Sequence, residues 1–184
     1  TAPAASAFTC RNLTFHAAFY MDAPPEKVYQ TVKGHLMDVL AQIKEEGIVV
    51  SVRPEVMGRD TQFGSVEELL RLSKELKGVS LCIDFAHLHA RAGVFNTHPE
   101  FVALLKKVET VLGRSALEDI AIHVSGIEYT KRGEKKHLNL KQSDFNYPDF
   151  VRSLKDCDVR GMVICESPNL EEDALLLQRE YLAL

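Results

Sequence analysis

The sequence predicts an α/β fold of five strand–helix units, and its polar residues favour a (β/α)8 barrel over an open sheet. Short apolar runs alternate with longer segments of helical period. The runs end on residue types that bind metals, namely His16, Glu55, Asp84, His123 and Glu166. Successive members of this set are 39, 29, 39 and 43 positions apart. A barrel gathers the carboxyl ends of all its strands at one rim, whereas an open doubly wound sheet concentrates its site at one switch point. We therefore expect a TIM barrel, with about five of its eight units in these 184 residues.

The first half of the chain alternates strand and helix. The strand LTFH is followed by a helix that opens at a proline pair, carries an apolar stripe and closes at Gly47. The strand IVVSVRPE comes next and ends at Glu55. Ser65 and Glu68 have the spacing of a capping box, which predicts the start of a leucine-rich helix.

The second half continues the alternation with the strands VSLCIDF, IAIH and MVICE. We expect helices near residues 99–112, 149–154 and 170–182, and a polar loop over residues 129–143. The strands are apolar at nearly every position, which is typical of parallel strands buried between layers. The pattern predicts a single partial barrel domain over residues 1–184, entered in mid-fold because no strand precedes the first residues.

The composition of the chain limits the binding partners and the cellular compartment that we expect. The net charge is −4 and the pI is near 6.0, so DNA binding would depend on local basic patches or on bound cations. The four cysteines show no paired spacing, which indicates a reducing compartment without a disulfide framework. No apolar run approaches the roughly 20 residues of a membrane span, and no signal peptide is evident. We expect a cytoplasmic protein without a membrane partner.

The strand-end residues predict a divalent metal site built from nitrogen and oxygen donors. Zinc and manganese are the ions that such donors suit best. Asp84 and His87 lie three residues apart where we expect the strand to pass into a loop, so both can face the same cavity, with His89 as a fallback ligand. We expect His35 and His98 to lie in solvent. The chain lacks dinucleotide, P-loop, hydrolase-elbow and zinc-protease motifs.

A basic segment, KRGEKKHLN, contains one further histidine, His137. Its spacing alone predicts only a solvated loop. Four cations of this segment can still contact phosphates beside an active-site rim, namely Lys131, Arg132, Lys135 and Lys136.

Five segments together resemble the endonuclease IV group (AP endonuclease family 2) of the xylose-isomerase-like TIM barrels. They are LTFHAAFY, SVRPEVMGRDTQFGS, VSLCIDFAHLHARAG, IAIHVSG and VICESPNLEEDA. The similarity is closest to the endonuclease-IV-like proteins of archaea and covers nearly the whole chain, beginning around the fourth strand–helix unit. It implies a zinc-dependent hydrolase that cleaves the DNA backbone 5′ of abasic sites in base-excision repair.

The resemblance also implies roles for individual residues. Glu55 would be a catalytic, metal-bridging carboxylate that shares the first ion with His16. Asp84, His123 and Glu166 would complete the second ion site, and Glu166 would also be a candidate catalytic base. His87 and His137 would hold a third ion, so that two or three Zn²⁺ ions, or Mn²⁺ as the alternative, are expected.

One departure from the family pattern leaves other functions open. The family places an aspartate two residues before the loop histidine, where this chain has Lys135. A metal-dependent sugar isomerase or epimerase on the same barrel would need no third ion and would act on a small sugar. A non-catalytic barrel fragment is the third possibility.

Overall fold

The computed structural model describes all residues from 1 to 184 and divides into two compact units. The first unit comprises Thr1–Met57 and Thr61–Cys82, and the second comprises Gly58–Asp60 and Ile83–Leu184. Each unit contains parallel strands followed by helices, as the alternation in the sequence predicts.

The first unit contains two parallel strands that pair directly. Its elements are α1 (Ala2–Ala7), β1 (Asn12–Phe15), β2 (Ala18–Phe19), α2 (Pro25–Glu45), β3 (Ser51–Pro54), β4 (Gln62–Phe63) and α3 (Val66–Glu75). β1 pairs with β3 in a register that sets Phe15 opposite Pro54. Single parallel bridges, Val52 to Val79 and Glu55 to Cys82, extend the pairing on the other side of β3. The short strands β2 and β4 are antiparallel.

The predicted capping box is present at the start of α3. The Ser65 side chain accepts a hydrogen bond from the Glu68 amide at 3.3 Å, and the Glu68 carboxylate accepts one from the Ser65 amide at 2.9 Å. Tyr20 donates a further hydrogen bond to Glu68 at 2.8 Å. The same carboxylate therefore caps α3 and connects it to the segment that follows β2.

The second unit contains a three-stranded sheet and a separate hairpin. Its elements are β5 (Cys82–Asp84), whose last two residues belong to this unit, α4 (Phe85–Ala92), α5 (His98–Leu112), α6 (Ser115–Glu118), β6 (Ile120–Val124), β7 (Gly126–Thr130), β8 (Gly133–Leu138), α7 (Tyr147–Asp156), β9 (Gly161–Cys165) and α8 (Glu171–Ala183). The sheet order is β5-β6-β9, and β6 and β9 are parallel with His123 opposite Ile164. β7 and β8 form an antiparallel hairpin.

Aromatic packing fixes the start of α4 in the second unit. The ring of Phe85 lies 4.8 Å from that of Phe150 and 5.6 Å from that of Phe101, centroid to centroid. All three side chains are fully buried. Because Phe85 is the first residue of α4, this core holds the helix in place next to the end of β5.

Three expectations about local structure were wrong. Residues 129–143 contain most of the β7–β8 hairpin rather than a loop. The sequence pattern did not reveal its strands because they are polar and partly exposed and show no apolar period. Asp84 leads directly into a helix instead of a loop. β9 is not buried on both faces: Met162, Val163 and Ile164 are 37–44% exposed, because β9 is the last strand of its sheet.

No helix in the structure combines the length and the apolar character that crossing a bilayer requires.

Replacing Ser65 tests the capping box. Ser65→Ala removes the acceptor of the Glu68 amide and should lower the free energy of unfolding by about 1 kcal/mol, whereas Ser65→Gly should cost only a few tenths. Urea denaturation followed by circular dichroism measures both variants. An unchanged stability of Ser65→Ala would show that the side-chain cap does not stabilise α3.

Candidate metal centre

In the first unit, the register of β1 and β3 brings His16 and Glu55 together. Each residue directly follows its strand, and the Glu55 amide donates a hydrogen bond to the carbonyl of Phe15 at 3.1 Å. The His16 Nε2 atom lies 3.5 Å from Glu55 Oε2. The Glu55 side chain is only 4% exposed, and that of His16 is 59% exposed. One imidazole and one buried carboxylate thus meet at the carboxyl end of two parallel strands, as the sequence predicts.

In the second unit, Asp84, His123 and Glu166 converge in the same way. Their ligand atoms lie within 4.8 Å of one another. His123 Nδ1 is 3.3 Å from Glu166 Oε1. The ladder continues past the end of β9, because the Glu166 amide donates to the carbonyl of Val124 at 2.9 Å. The three ligands therefore come from the ends of the three strands of one sheet, although His123 lies one residue before the end of β6.

Asp84 is held by a second interaction. It is the N-cap of α4, and its Oδ1 atom accepts a hydrogen bond from the His87 amide at 2.7 Å. Its side chain is completely buried. An N-cap carboxylate satisfies an amide that the helix itself cannot pair. The cap explains why a buried carboxylate is tolerated here, and it fixes the direction in which the carboxylate points.

A second ligand group forms around His87 and His137. Together with Asp84 they offer ligand atoms within 4.8 Å of one another. The two Nε2 atoms are 3.2 Å apart. His87 Nδ1 lies 3.5 Å from Asp84 Oδ2, and His137 Nδ1 lies 3.2 Å from the carbonyl oxygen of Glu166. His137 is on β8 and pairs with Ile127 across the hairpin. The hairpin therefore places the His137 ring next to His87 of α4.

Other histidines take structural positions. His89 lies with Nδ1 3.2 Å from the carbonyl of Val94 and Nε2 3.4 Å from Asp144, so it is not the fallback ligand. Tyr129 donates to the same Asp144 at 2.7 Å, and this hydrogen bond raises the pKa of the Tyr129 hydroxyl. His98 is only partly in solvent, because its side chain is 25% exposed and its Nε2 atom is 2.9 Å from Asp156 Oδ2. His35 is exposed, as expected.

Sequence reasoning missed Glu134. Its Oε2 atom lies 3.5 Å from His87 Nε2, and its Oε1 atom lies 4.0 Å from His137 Nε2. The only signal for it was its place in a polar segment, three residues before His137, and that spacing normally puts two strand residues on opposite faces.

The donor chemistry of these groups fits a divalent cation. The second-unit groups combine imidazole nitrogens with carboxylate oxygens, a set that suits zinc or manganese. Burying a charge is costly unless it is paired or hydrogen-bonded. Asp84 is completely buried and caps α4, and a cation held by these ligands would stabilise it further.

Comparison with known proteins identifies the family. The sequence profile of the xylose isomerase-like TIM barrels matches residues 1–183. The chain belongs to this xylose isomerase-like family. An uncharacterized protein of Methanocaldococcus jannaschii is 46% identical over 172 residues, which cover 93% of this chain and 63% of that protein.

Solved structures of this barrel type have the same fold. The apo form of 3-keto-D-glucoside 4-epimerase from E. coli has a TM-score of 0.65 at 13% identity, over 96% of this chain and 66% of its own. Endonuclease IV from Thermus thermophilus has a TM-score of 0.63 at 18% identity, over 97% of this chain and 63% of its own. The chain thus spans slightly less than two thirds of the length of these xylose isomerase-like relatives.

Exchanging Asp84 for asparagine separates its two roles. Asparagine caps helices as well as aspartate does but carries no charge for a metal ion. Zinc at 100 times its dissociation constant should stabilise the wild-type protein by about 2.7 kcal/mol. Asp84→Asn should remain folded without metal and lose most of this zinc-dependent stabilisation, measured by calorimetry with and without ZnCl₂. Asp84→Ala, the control, should additionally lose the cap. An unchanged zinc effect in Asp84→Asn would exclude Asp84 as a ligand.

Proposed function

We propose that the protein is a metal-dependent phosphodiesterase of endonuclease IV type, which hydrolyses the DNA backbone 5′ of abasic sites in base-excision repair. The observation that carries the proposal is that two ligand groups in the second unit share Asp84. Enzymes that displace phosphate esters use closely spaced metal ions to stabilise the attacking and leaving oxygens. A site for a single ion would have no use for the second group around His87 and His137.

We assign the ligands by unit. His16 and Glu55 hold one ion, Asp84, His123 and Glu166 hold another, and His87 with His137 hold a third. Zinc is the preferred ion, with manganese as the alternative. Bound ions of this kind polarise the phosphodiester and lower the pKa of water toward neutrality.

The two glutamates differ in exposure, and this difference supports different roles. The Glu55 side chain is 4% exposed, so it serves as a fixed ligand. The Glu166 side chain is 32% exposed and contacts His123 through one oxygen at 3.3 Å. Its carboxylate can therefore accept a proton from an attacking water, which makes it the candidate general base.

The β7–β8 hairpin supports a phosphate-bearing substrate. Lys131 and Arg132 are exposed in its turn, on the same hairpin as the ligand His137. Glu128 pairs with both lysines that precede His137, Lys135 and Lys136, and these pairs lower the pKa of Glu128. Lys131 and Arg132 are thus the hairpin cations best placed to contact DNA phosphates, and they form a local positive patch on a chain whose net charge is −4.

A sugar isomerase or epimerase is the second candidate. The group of Asp84, His123 and Glu166 is sufficient to hold one ion, and Glu166 is exposed enough to move a proton between adjacent carbons. The likeness to a 3-keto-D-glucoside 4-epimerase shows that the fold also occurs among such enzymes. A barrel fragment without catalysis, the third possibility, would bind none of these ions stoichiometrically.

Incision of an abasic-site duplex tests the proposal. The chain loaded with zinc or manganese should cut a labelled duplex once, 5′ of the abasic residue, on a denaturing gel. Glu166→Gln keeps the side-chain shape but cannot take up a proton, and the rate should fall about 10²- to 10⁴-fold.

The matched control is Glu118→Gln, an exposed position on α6, which should cleave at the wild-type rate. Metal-loaded protein that leaves abasic DNA intact but interconverts epimeric ketoses would replace the nuclease with the sugar enzyme.

The hairpin turn makes a separate prediction about DNA affinity. Lys131→Ala and Arg132→Ala should each weaken binding and reduce the slope of log K against log salt by about 1, because each removes one phosphate contact. Fluorescence anisotropy with Glu166→Gln as the background measures binding without cleavage. Lys44→Ala, in the exposed last turn of α2, should change neither quantity. An unaltered salt slope in the hairpin variants would remove this surface from the DNA interface.

A further inference from the structure

The two imidazoles of His87 and His137 face each other in an arrangement that calls for a cation. His137 Nδ1 lies 3.2 Å from the Glu166 carbonyl oxygen, which can only accept, so Nδ1 carries the proton. His87 Nδ1 lies 3.5 Å from the Asp84 carboxylate, and His87 Nε2 lies equally far from the Glu134 carboxylate. The two Nε2 atoms face each other across 3.2 Å, so an ion bound between them would take a lone pair from each. Metal-ligating histidines commonly have this pattern, with the second nitrogen held by a carbonyl or carboxylate.

We propose that Glu134 is the third protein ligand of this site and completes a compact group of two histidines and one carboxylate. This inference rests on the proposed function, because it concerns the third ion site of the proposed enzyme. The family resemblance assigns no role to Glu134. Glu134 Oε2 is 3.5 Å from His87 Nε2. Tetrahedral zinc with bonds of about 2.0–2.1 Å separates neighbouring ligand atoms by about 3.3 Å. The separations of 3.2 and 3.5 Å around His87 are close to that value, and the third separation, between His137 Nε2 and Glu134 Oε1, is 4.0 Å.

A β-bulge explains how Glu134 reaches this face. Glu128 pairs with Lys136, but the next residue, Tyr129, pairs with Glu134, so Lys135 is an extra residue in β8. Strand residues three apart normally point to opposite faces, and one extra residue reverses that parity. Glu134 and His137 therefore share a face, while Lys135 forms its ion pair with Glu128. The lysine that departs from the family pattern is the bulge residue, and the carboxylate is supplied one position earlier.

The segment around Gly58 holds Glu134 in position. The Glu134 amide donates to the Gly58 carbonyl at 2.9 Å, and Arg59 Nε donates to the Glu134 carbonyl at 2.9 Å. A Cβ atom on residue 58 would lie 2.6 Å from Glu134 Cβ and 2.9 Å from its Oε2. Glycine at this position thus leaves the space that the carboxylate occupies. The amide and the carbonyl of Glu134 are both held by hydrogen bonds, and its side chain is only 18% exposed.

Metal stoichiometry tests the assignment without reference to catalysis. The 184-residue chain is saturated with ZnCl₂, desalted and analysed by elemental mass spectrometry, and the affinity of each ion is measured by competition with a chromophoric chelator. Glu134→Ala and Glu134→Gln should each lose one zinc equivalent, or bind it at least about 10-fold more weakly. Gly58→Ala should have a similar effect, because it displaces the carboxylate.

Lys135→Ala is the matched control, since it alters the neighbouring residue without touching the ligands, and it should keep the wild-type stoichiometry. Circular dichroism confirms that each variant is folded, and Glu134→Gln serves if the alanine variant does not fold. Unchanged stoichiometry and affinity in Glu134→Gln would overturn the proposal and leave Glu134 as an ion-pair partner of His87. Absence of DNA incision together with loss of one zinc equivalent would refute the nuclease but support this site.

Discussion

The candidate site depends on the contacts that the Asp84 carboxylate makes. One of its oxygens caps α4 through the His87 amide at 2.7 Å, and the other lies 3.5 Å from the His87 ring. It also belongs to both ligand groups of the second unit. A single buried charge thus sets where the helix begins, how the first histidine of that helix is oriented and where a cation would bind. The aromatic core around Phe85 keeps the cap in place and gives the arrangement its rigidity.

The parts of the structure that follow from local pattern could be predicted from the sequence. Apolar runs identify buried strands because burial demands them, and the residue that ends such a run lies at the edge of the sheet. His16 and Glu55 meet for this reason, as do Asp84, His123 and Glu166. The capping box before α3 was predictable because it depends on residues only three apart.

The parts that depend on the hairpin could not be predicted in this way. β7 and β8 are polar and partly exposed, so they show no apolar period, and residues 129–143 were expected to form a loop. Glu134 reaches His87 only because one extra residue changes the side-chain parity of β8. No spacing rule shows where a bulge lies, since it is fixed by how two strands pair. The exposure of β9 was missed for a related reason, because composition cannot show which strand lies at an edge.

The pairing of Glu128 with Lys135 and Lys136 has an electrostatic consequence for the whole hairpin. Two ammonium groups precede His137 in sequence, and left alone they would repel a divalent cation brought to that histidine. The Glu128 carboxylate lies on the neighbouring strand and neutralises much of this positive field. Because Glu128 is not one of the ligands, the negative charge of the ligand group is left to interact with a cation. The hairpin can therefore be attractive to an anion at its turn and to a cation near its base. For the phosphodiester substrate that we propose, a field of this kind would orient the phosphate backbone toward the ligands before any contact forms.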